Sequence, residues 1–326
     1  MAVTLERKHR AASRPDRESA ARVLPGPVAF VGAGKVGTAL ASLLHARGVD
    51  VAIAGRTTQA SRRAARTAGL DPERAKDVAA AVEGARIVCL AVPDDAIEQV
   101  CREIADAGGW RPDHGVVHCS GALPSTVLAS AKAAGAQIAS FHPLQAFADV
   151  DAAIRQIPGS AFAIEGDPDL AADLDRLAAL LGGTAIHLRA NQKTLYHAAA
   201  AILSNYTVTL AATAADLLVR EGLAPDSNTA LGYLLPLLRG TVNNLEALGL
   251  PAALTGPIAR GDAGTVARHL VALEKCAPEV LDLYRELAEQ TIPLAREKTG
   301  LSDEAIARLR NALAGREHPD VDTSCD

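Results

Sequence analysis

From residue 28 onward, short apolar runs rich in β-formers alternate with longer stretches of helical period. Val28-Ala29-Phe30-Val31 is the first such run and stops at a Gly-rich turn. A helix is predicted over Lys35–Arg47, ending at Gly48, then a strand over Val49–Ala54, a helix over Gln59–Ala68 and a short helix over Asp77–Glu83. Arg86–Val92 is apolar on both faces, the pattern of a central parallel strand covered on both sides. The alternation continues with a helix over Ala96–Ala107, a strand over Gly115–Cys119, a helix over Pro124–Ala134 and a strand over Gln137–Phe141. Two more strands, Ser160–Ile164 and Thr184–Leu188, flank a helix over Pro168–Leu181 and extend the sheet edge. Repeated βαβ units of this kind predict a doubly wound parallel sheet of Rossmann type.

Past Asn191 the strand signals stop. Helices are expected over Gln192–Glu221, Asn228–Ala247, Asp262–Lys275, Pro278–Lys298 and Asp303–Ala314, with Pro225, Pro251, Pro257 and Pro278 as punctuation. The fold class is therefore α/β, a doubly wound parallel Rossmann sheet followed by an all-α C-terminal domain. The expected divisions are a disordered extension (1–26), a nucleotide-binding domain (27–189), a helical substrate and dimerisation domain (190–315) and a disordered tail (316–326). In a chain of 326 residues this is two domains of ordinary size.

Composition sharpens this picture. Apolar residues make up 49% but aromatics only 3%, so the cores must be built from Ala, Leu, Val and Ile. A formal net charge of −5 gives no general case for nucleic acid. The five cysteines, Cys89, Cys101, Cys119, Cys276 and Cys325, are odd in number and contain no C-x-x-C pair, which points to reduced thiols and a cytoplasmic location. The N-terminal segment is polar and basic without the apolar stretch of a secretory signal, and Glu6, Asp16 and Glu18 argue against an organelle address. No membrane span is expected.

The strongest local motif is Gly32-Ala33-Gly34-Lys35-Val36-Gly37, a G-x-G-x-x-G between a strand and a helix. Gly32 permits the tight turn, Gly34 a close approach of backbone to a pyrophosphate, and Gly37 close packing of helix on strand. The helix N-terminus adds free N–H groups and a positive dipole. The second strand chooses between the two nicotinamide dinucleotides. NAD binders place an acid there, about 20 residues past the glycines, to hold the ribose 2′-hydroxyl. Here the strand runs into Gly55-Arg56-Thr57-Thr58 with no acid, so Arg56 and Thr57 are candidates for a 2′-phosphate and the expected cofactor is NADP. The competing reading of Arg56 is a solvated loop residue. Val92 and Pro93 end the central strand where open α/β sheets bind ligands and are expected to line the cofactor, while Asp94 or Asp95 is expected to cap the next helix. No metal site is expected.

Candidate chemistry falls in three further clusters. His118-Cys119-Ser120-Gly121 ends a strand, so Ser120 either meets the nicotinamide or caps a helix. His142, in Phe141-His142-Pro143, is either an acid/base, since an imidazole titrating near neutrality suits proton transfer, or a buried structural residue. Lys193 and His197 are i,i+4 neighbours, and Asn205 lies two turns further along one continuous helix. Lys193, His197 and Asn205 are either a solvated face or, since the apolar run Ala198–Leu203 predicts a buried helix, a catalytic stripe facing an interdomain cleft. Of the later Thr255–Asp262 loop, Arg260 is a candidate clamp for a carboxylate and Asp262 a helix cap.

The stretches VGAGKVG, AVPDDAI, HCSGALP, SFHPLQAF, KTLYHAAAAILSNY and TGPIARGD carry a resemblance. The chain resembles the dehydrogenases that include 6-phosphogluconate dehydrogenase, β-hydroxyacid dehydrogenases, ketopantoate reductase and pyrroline-carboxylate reductase. It is more closely similar to bacterial Rossmann proteins with their own helical C-terminal domain, labelled NADP oxidoreductases or deazaflavin-dependent NADP-reductase-like. The resemblance implies hydride transfer with Lys193 at the substrate, and His197 stands where the superfamily usually carries Asn. His142-Pro143 resembles a His-Pro of prephenate dehydrogenases. The expected activity is NADPH-dependent reduction of a small 2-oxo acid, with ketopantoate the leading specific expectation. The alternatives are an imine reductase, a deazaflavin-coupled NADP reductase and a non-catalytic NADP sensor. A small-molecule substrate and a homodimer are the expected partners.

Overall fold

The computed structural model describes residues 26–316. The expected terminal extension and tail lie outside the described residues, save for the residues at their inner ends. Two compact units divide at Ser204–Asn205, so the helix that opens at Lys193 belongs with the sheet.

The first unit is built on one sheet of eight strands: β1 (Val28–Val31), β2 (Val51–Ala54), β3 (Ala75–Lys76), β4 (Ile87–Leu90), β5 (Gly115–His118), β6 (Gln137–Pro143), β7 (Ala161–Gly166) and β8 (Thr184–His187). Their order across the sheet is β3-β2-β1-β4-β5-β6-β7-β8. Chain order reverses direction at β1, between β2 and β4, which is the switch point where such sheets bind ligands. All pairings are parallel except β6 with β7. That exception corrects a uniformly parallel sheet. The chain turns back between Pro143 and Ala161 through one short helix, and β7 runs opposite to β6.

Among the described residues the first unit also has eight helices: α1 (Lys35–His45), α2 (Thr58–Thr67), α3 (Val78–Glu83), α4 (Asp94–Asp106), α5 (Ala129–Ala133), α6 (Val150–Gln156), α7 (Pro168–Leu180) and α8 (Lys193–Leu203). The central strands β1, β4 and β5 are buried at every position, as their continuous apolar runs require. One core, on the α1 face, holds Phe30, Leu40, Leu44, Cys89 and Phe162, and the other, on the α4 face, holds Val88, Leu90, Ile97 and Trp110. The expected helix over Pro124–Ala134 is instead a 3-10 turn, Ser125–Leu128, followed by the short α5.

The second unit is helical: α9 (Asn205–Arg220), α10 (Ser227–Leu248), α11 (Ala263–Cys276), α12 (Leu281–Thr299) and α13 (Asp303–Leu313). α9 and α10 pack around Ala215, Ala224 and Ala230, while α11 to α13 enclose Val266, Ile292 and Leu309. Asp262 caps α11 through the Thr265 N–H at 2.9 Å, as expected of it.

The single helix anticipated over Gln192–Glu221 is interrupted at Ser204, one turn residue between α8 and α9. That break removes the basis for placing Lys193, His197 and Asn205 on one stripe. Asn205 begins the second unit. The burial expected of Ala198–Leu203 is also corrected, since Lys193 is the buried residue of α8 and the apolar run after it is exposed or half-buried. By length and composition alone residues 190–220 would suffice to cross a bilayer, a weak indication in a stretch that the Ser204 break divides.

Candidate functional site

Strands β1, β4, β5 and β6 run parallel, so the residues that follow them gather along one edge of the sheet. Gly32 follows β1, Val92 and Pro93 follow β4, Ser120 follows β5, and His142 lies near the end of β6. The three glycines divide their work as the motif predicts. Gly32 has φ +124°, and a Cβ there would lie 2.3 Å from the Ala91 carbonyl oxygen; a Cβ on Gly37 would lie 2.5 Å from the Gly32 oxygen. Both are demanded by the fold itself. Gly34 is different, because a Cβ there would meet no protein atom nearer than 3.9 Å. The protein's own packing does not require a glycine there. Gly34 is also the N-cap of α1 and makes no side-chain cap, so the N–H groups of Lys35 and Val36 open an uncapped helix.

A cavity of about 770 Å³ adjoins this loop, with Gly32, Gly55, Arg56, Val92, Ile104 and Arg111 among its walls. That volume is of the size small-molecule and cofactor sites take. Thr57 caps α2 by accepting from the Ala60 N–H at 3.1 Å. The Ser61 hydroxyl accepts from the Gly55 N–H at 2.8 Å and fixes the turn that presents Arg56. Ala33 packs against this turn, where a Cβ on Gly55 would meet the Ala33 methyl at 3.0 Å.

Beyond β5 a tight polar network forms. The Ser120 hydroxyl donates to Asp94 Oδ2 at 2.6 Å and accepts from the N–H groups of Ala122 and Leu123. Asp94 therefore does not cap α4, where Pro93 takes that position; it anchors Ser120 from the helix's first turn. The Ser120 N–H donates to His118 Nδ1 at 3.1 Å, which leaves the proton on Nε2 to be donated to the Pro124 carbonyl at 3.2 Å. Burial is the largest influence on His118 and the nearby Lys193 charge the next, and together they push its pKa down to about 4.

Lys193 is the most deeply buried cation of the network, at 1% exposure. Its Nζ donates to Ser140 Oγ at 2.7 Å and to the Ser120 carbonyl at 3.1 Å, tying α8 to β6 and to the turn after β5. Burial lowers its pKa; Glu165, Asp94 and Cys119 oppose that. His142 Nδ1 shares a hydrogen bond with the Tyr196 hydroxyl at 2.8 Å. Burial first, then the charges of Lys193 and His197, push His142 down to about 4, and burial pushes Tyr196 up to about 12. His142 is thus neutral at pH 7, a correction to the near-neutral titration its residue type suggests. The rings of His142 and His197 converge on Gly121. A Cβ there would lie 2.9 Å from both His142 Nε2 and His197 Nδ1.

The structure therefore brings together Ser120, His142, Lys193 and His197, and does not place Asn205 on their helix. Sequence reasoning passed over Tyr196, Ser140 and the anchoring role of Asp94. Ser140 carried a readable signal, a hydroxyl in an otherwise apolar strand, and it is fully buried. Tyr196 follows Lys193 by three positions and so shares its side of the helix.

Comparison with known proteins gives two matches, whose limits differ from the division between the two compact units. Residues 12–143 match the Rossmann-like domain family, and residues 160–291 match a domain family of unknown function, DUF2520. No curated protein matches the sequence. Among solved structures, a Thermotoga maritima protein is similar at 25% identity and a TM-score of 0.67, over 83% of this chain and 99% of that one. A candidate NADP oxidoreductase of Bacteroides fragilis is similar at 24% identity and 0.61, over 82% and 98%. A reductive aminase of Aspergillus terreus, in complex with NADPH and ethyl levulinate, shares the fold at 18% identity and 0.52, over 89% and 93%.

Proposed function

We propose that this chain, a Rossmann-like domain followed by a DUF2520 domain, is an NADP-dependent reductase of a small C=N or C=O compound. The observation that carries the reading is the open Gly34 beside an uncapped helix N-terminus, on the same sheet edge as the neutral His142–Tyr196 pair. Gly32 to Gly37 would hold the pyrophosphate and Arg56, with Thr57, the 2′-phosphate; Val92, Pro93 and Ser120 border the path from the loop toward His142. Bound NADPH supplies the hydride. The chain's own residues supply the proton and the field around it.

A neutral His142 that accepts from Tyr196 at Nδ1 carries its proton on Nε2, the atom turned toward Gly121 and His197. From there it donates to the substrate nitrogen or oxygen as that atom gains electron density, the Tyr196 proton passes to Nδ1, and the resulting phenolate regains a proton from solvent. The buried ammonium of Lys193 holds Ser120 and keeps His142 uncharged. Its positive field favours negative charge developing nearby. This gives Lys193 a positioning and electrostatic role, with His142, Tyr196 and His197 at the reacting atoms.

Among substrate groups we favour C=N, on the Aspergillus terreus likeness and because Lys193 is engaged with Ser120 and Ser140 and not free to clamp a carboxylate. The 2-oxo-acid reading, ketopantoate included, shares every other feature. The test is NADPH oxidation followed at 340 nm against cyclic imines, ketone–amine mixtures and 2-oxo acids. Turnover with the imine set supports the preference, turnover with 2-oxo acids alone reverses it, and tight NADPH binding without any turnover favours a sensor. A homodimer belongs to the same proposal. α10 buries only Ala230 and leaves Tyr233, Leu237, Leu245 and Leu248 exposed, an apolar face suited to a second copy. Light scattering on the purified protein measures it directly.

A further inference from the structure

Cys89 and Cys119 bring two thiols together beside the Ser120 turn. Cys89 lies on β4 opposite Val117 of β5, and Cys119 comes two residues later on the same face. Their Sγ atoms are 3.3 Å apart. Cys89 is buried in the core while Cys119 is half-buried. Cys101, by contrast, meets a hydroxyl, that of Ser130 at 3.2 Å.

We propose that Cys89 and Cys119 form a two-thiol modification site that a peroxide closes reversibly to a disulfide, and that closing weakens dinucleotide binding. A disulfide needs the two sulfurs about 2.05 Å apart, so closure shortens the gap by little more than 1 Å, and because Cys119 lies two residues past the partner of Cys89 it draws the turn after β5 along. Access decides the order of events, since a buried thiol is shielded from solutes. The Cys119 thiolate attacks hydrogen peroxide; its S–O bond forms as the O–O bond breaks, leaving a sulfenic acid and hydroxide. The Cys89 sulfur then attacks Cys119 Sγ; the S–S bond forms as the S–O bond breaks, and the departing hydroxide takes up the Cys89 proton. Two thiols and one peroxide give one disulfide and two waters. The bond to Cys119 and burial both hold Cys89 protonated, which keeps the first attack at Cys119.

The consequence follows from what lies beside Cys119. Its neighbour Ser120 carries the carbonyl that receives Lys193 and the hydroxyl bound to Asp94, the residue after Pro93. Drawing Cys119 toward β4 moves that turn, on the sheet edge assigned above to the nicotinamide. The binding half of the proposal rests on that assignment; the disulfide half does not.

The full-length protein, reduced and desalted, is exposed to a few equivalents of hydrogen peroxide and then digested after alkylation of the remaining thiols. The expected result is a loss of about 2 Da with a Cys89–Cys119 cross-link. Dithiothreitol reverses it, and neither Cys119→Ser nor Cys89→Ala shows it. Cys119→Ser keeps the test sound if the core change at Cys89 impairs folding. Oxygen uptake at Cys119 without a cross-link, or a cross-link between other cysteines, overturns the site. NADPH titration is then run on reduced and oxidised protein, with affinity expected to fall several-fold on oxidation. Equal affinities overturn the coupling. A reduced protein that binds no NADPH instead rejects the nucleotide reading, and the cross-link result stands on its own.

Discussion

Replacing Lys193 by Met separates the two things this side chain does. Methionine keeps much of the volume but removes the ammonium, so Ser140 Oγ and the Ser120 carbonyl each lose a charged donor. Hydrogen bonds to charged groups contribute about 1.5–3 kcal/mol apiece. The gain from no longer burying a charge offsets part of that loss. The expected net destabilisation is about 2–4 kcal/mol, read from urea unfolding midpoints. A second readout is specific to charge. Lys193 is the second influence on His142 after burial, so its removal raises the His142 pKa from about 4 while burial keeps it below 6.5. NMR titration of the imidazole resonances measures that shift. A Lys193→Met protein within 0.5 kcal/mol of wild type, with an unmoved His142, would refute the network as described.

Other outcomes follow from the same geometry. Arg56→Ala is expected to weaken NADPH binding by about 1–3 kcal/mol and to leave NADH nearly unchanged, as paired titrations would show. Gly34→Val is expected to fold normally, because the protein leaves its Cβ unobstructed, yet to lose dinucleotide binding; circular dichroism and calorimetry read the two halves separately. His118 and His142 both titrate at about 4 when folded, below the 6.5 of the free side chain. The unfolded chain therefore binds more protons between those values. Stability is complete above pH 6.5 and is lost as pH falls toward 4, by up to about 3 kcal/mol per histidine. Unfolding midpoints that stay level between pH 7 and 4.5 would contradict this.

The sheet was legible because its central strands announce themselves. Arg86–Val92 is apolar at nearly every position, and only a strand covered on both faces needs that. The glycine loop was legible because Gly32 and Gly37 answer steric demands now visible in their contacts, while Gly34 is left open. The antiparallel β7 was not, since strand periodicity carries no direction. The break at Ser204 was hidden because Ala198–Leu203 and Tyr206–Ala215 continue a helical pattern straight across it, and local propensity does not register a single turn residue. Asp94 misled because a carboxylate at the start of a helix is usually its cap. Its partner Ser120 lies 26 positions away in the chain, beyond any local pattern. The His142–Tyr196 contact is likewise long-range, spanning 54 positions, and only the tertiary fold brings it into being.

The central claim is that the Gly32–Gly37 loop and Arg56 make an NADP site. Its most direct test is a side-by-side titration of the wild-type protein with NADPH and NADH, following the fluorescence of the reduced nicotinamide. The account predicts saturable binding of both in one site per chain, with NADPH bound at least tenfold more tightly, the equivalent of about 1.4 kcal/mol. Equal affinities, or NADH the tighter ligand, would contradict it.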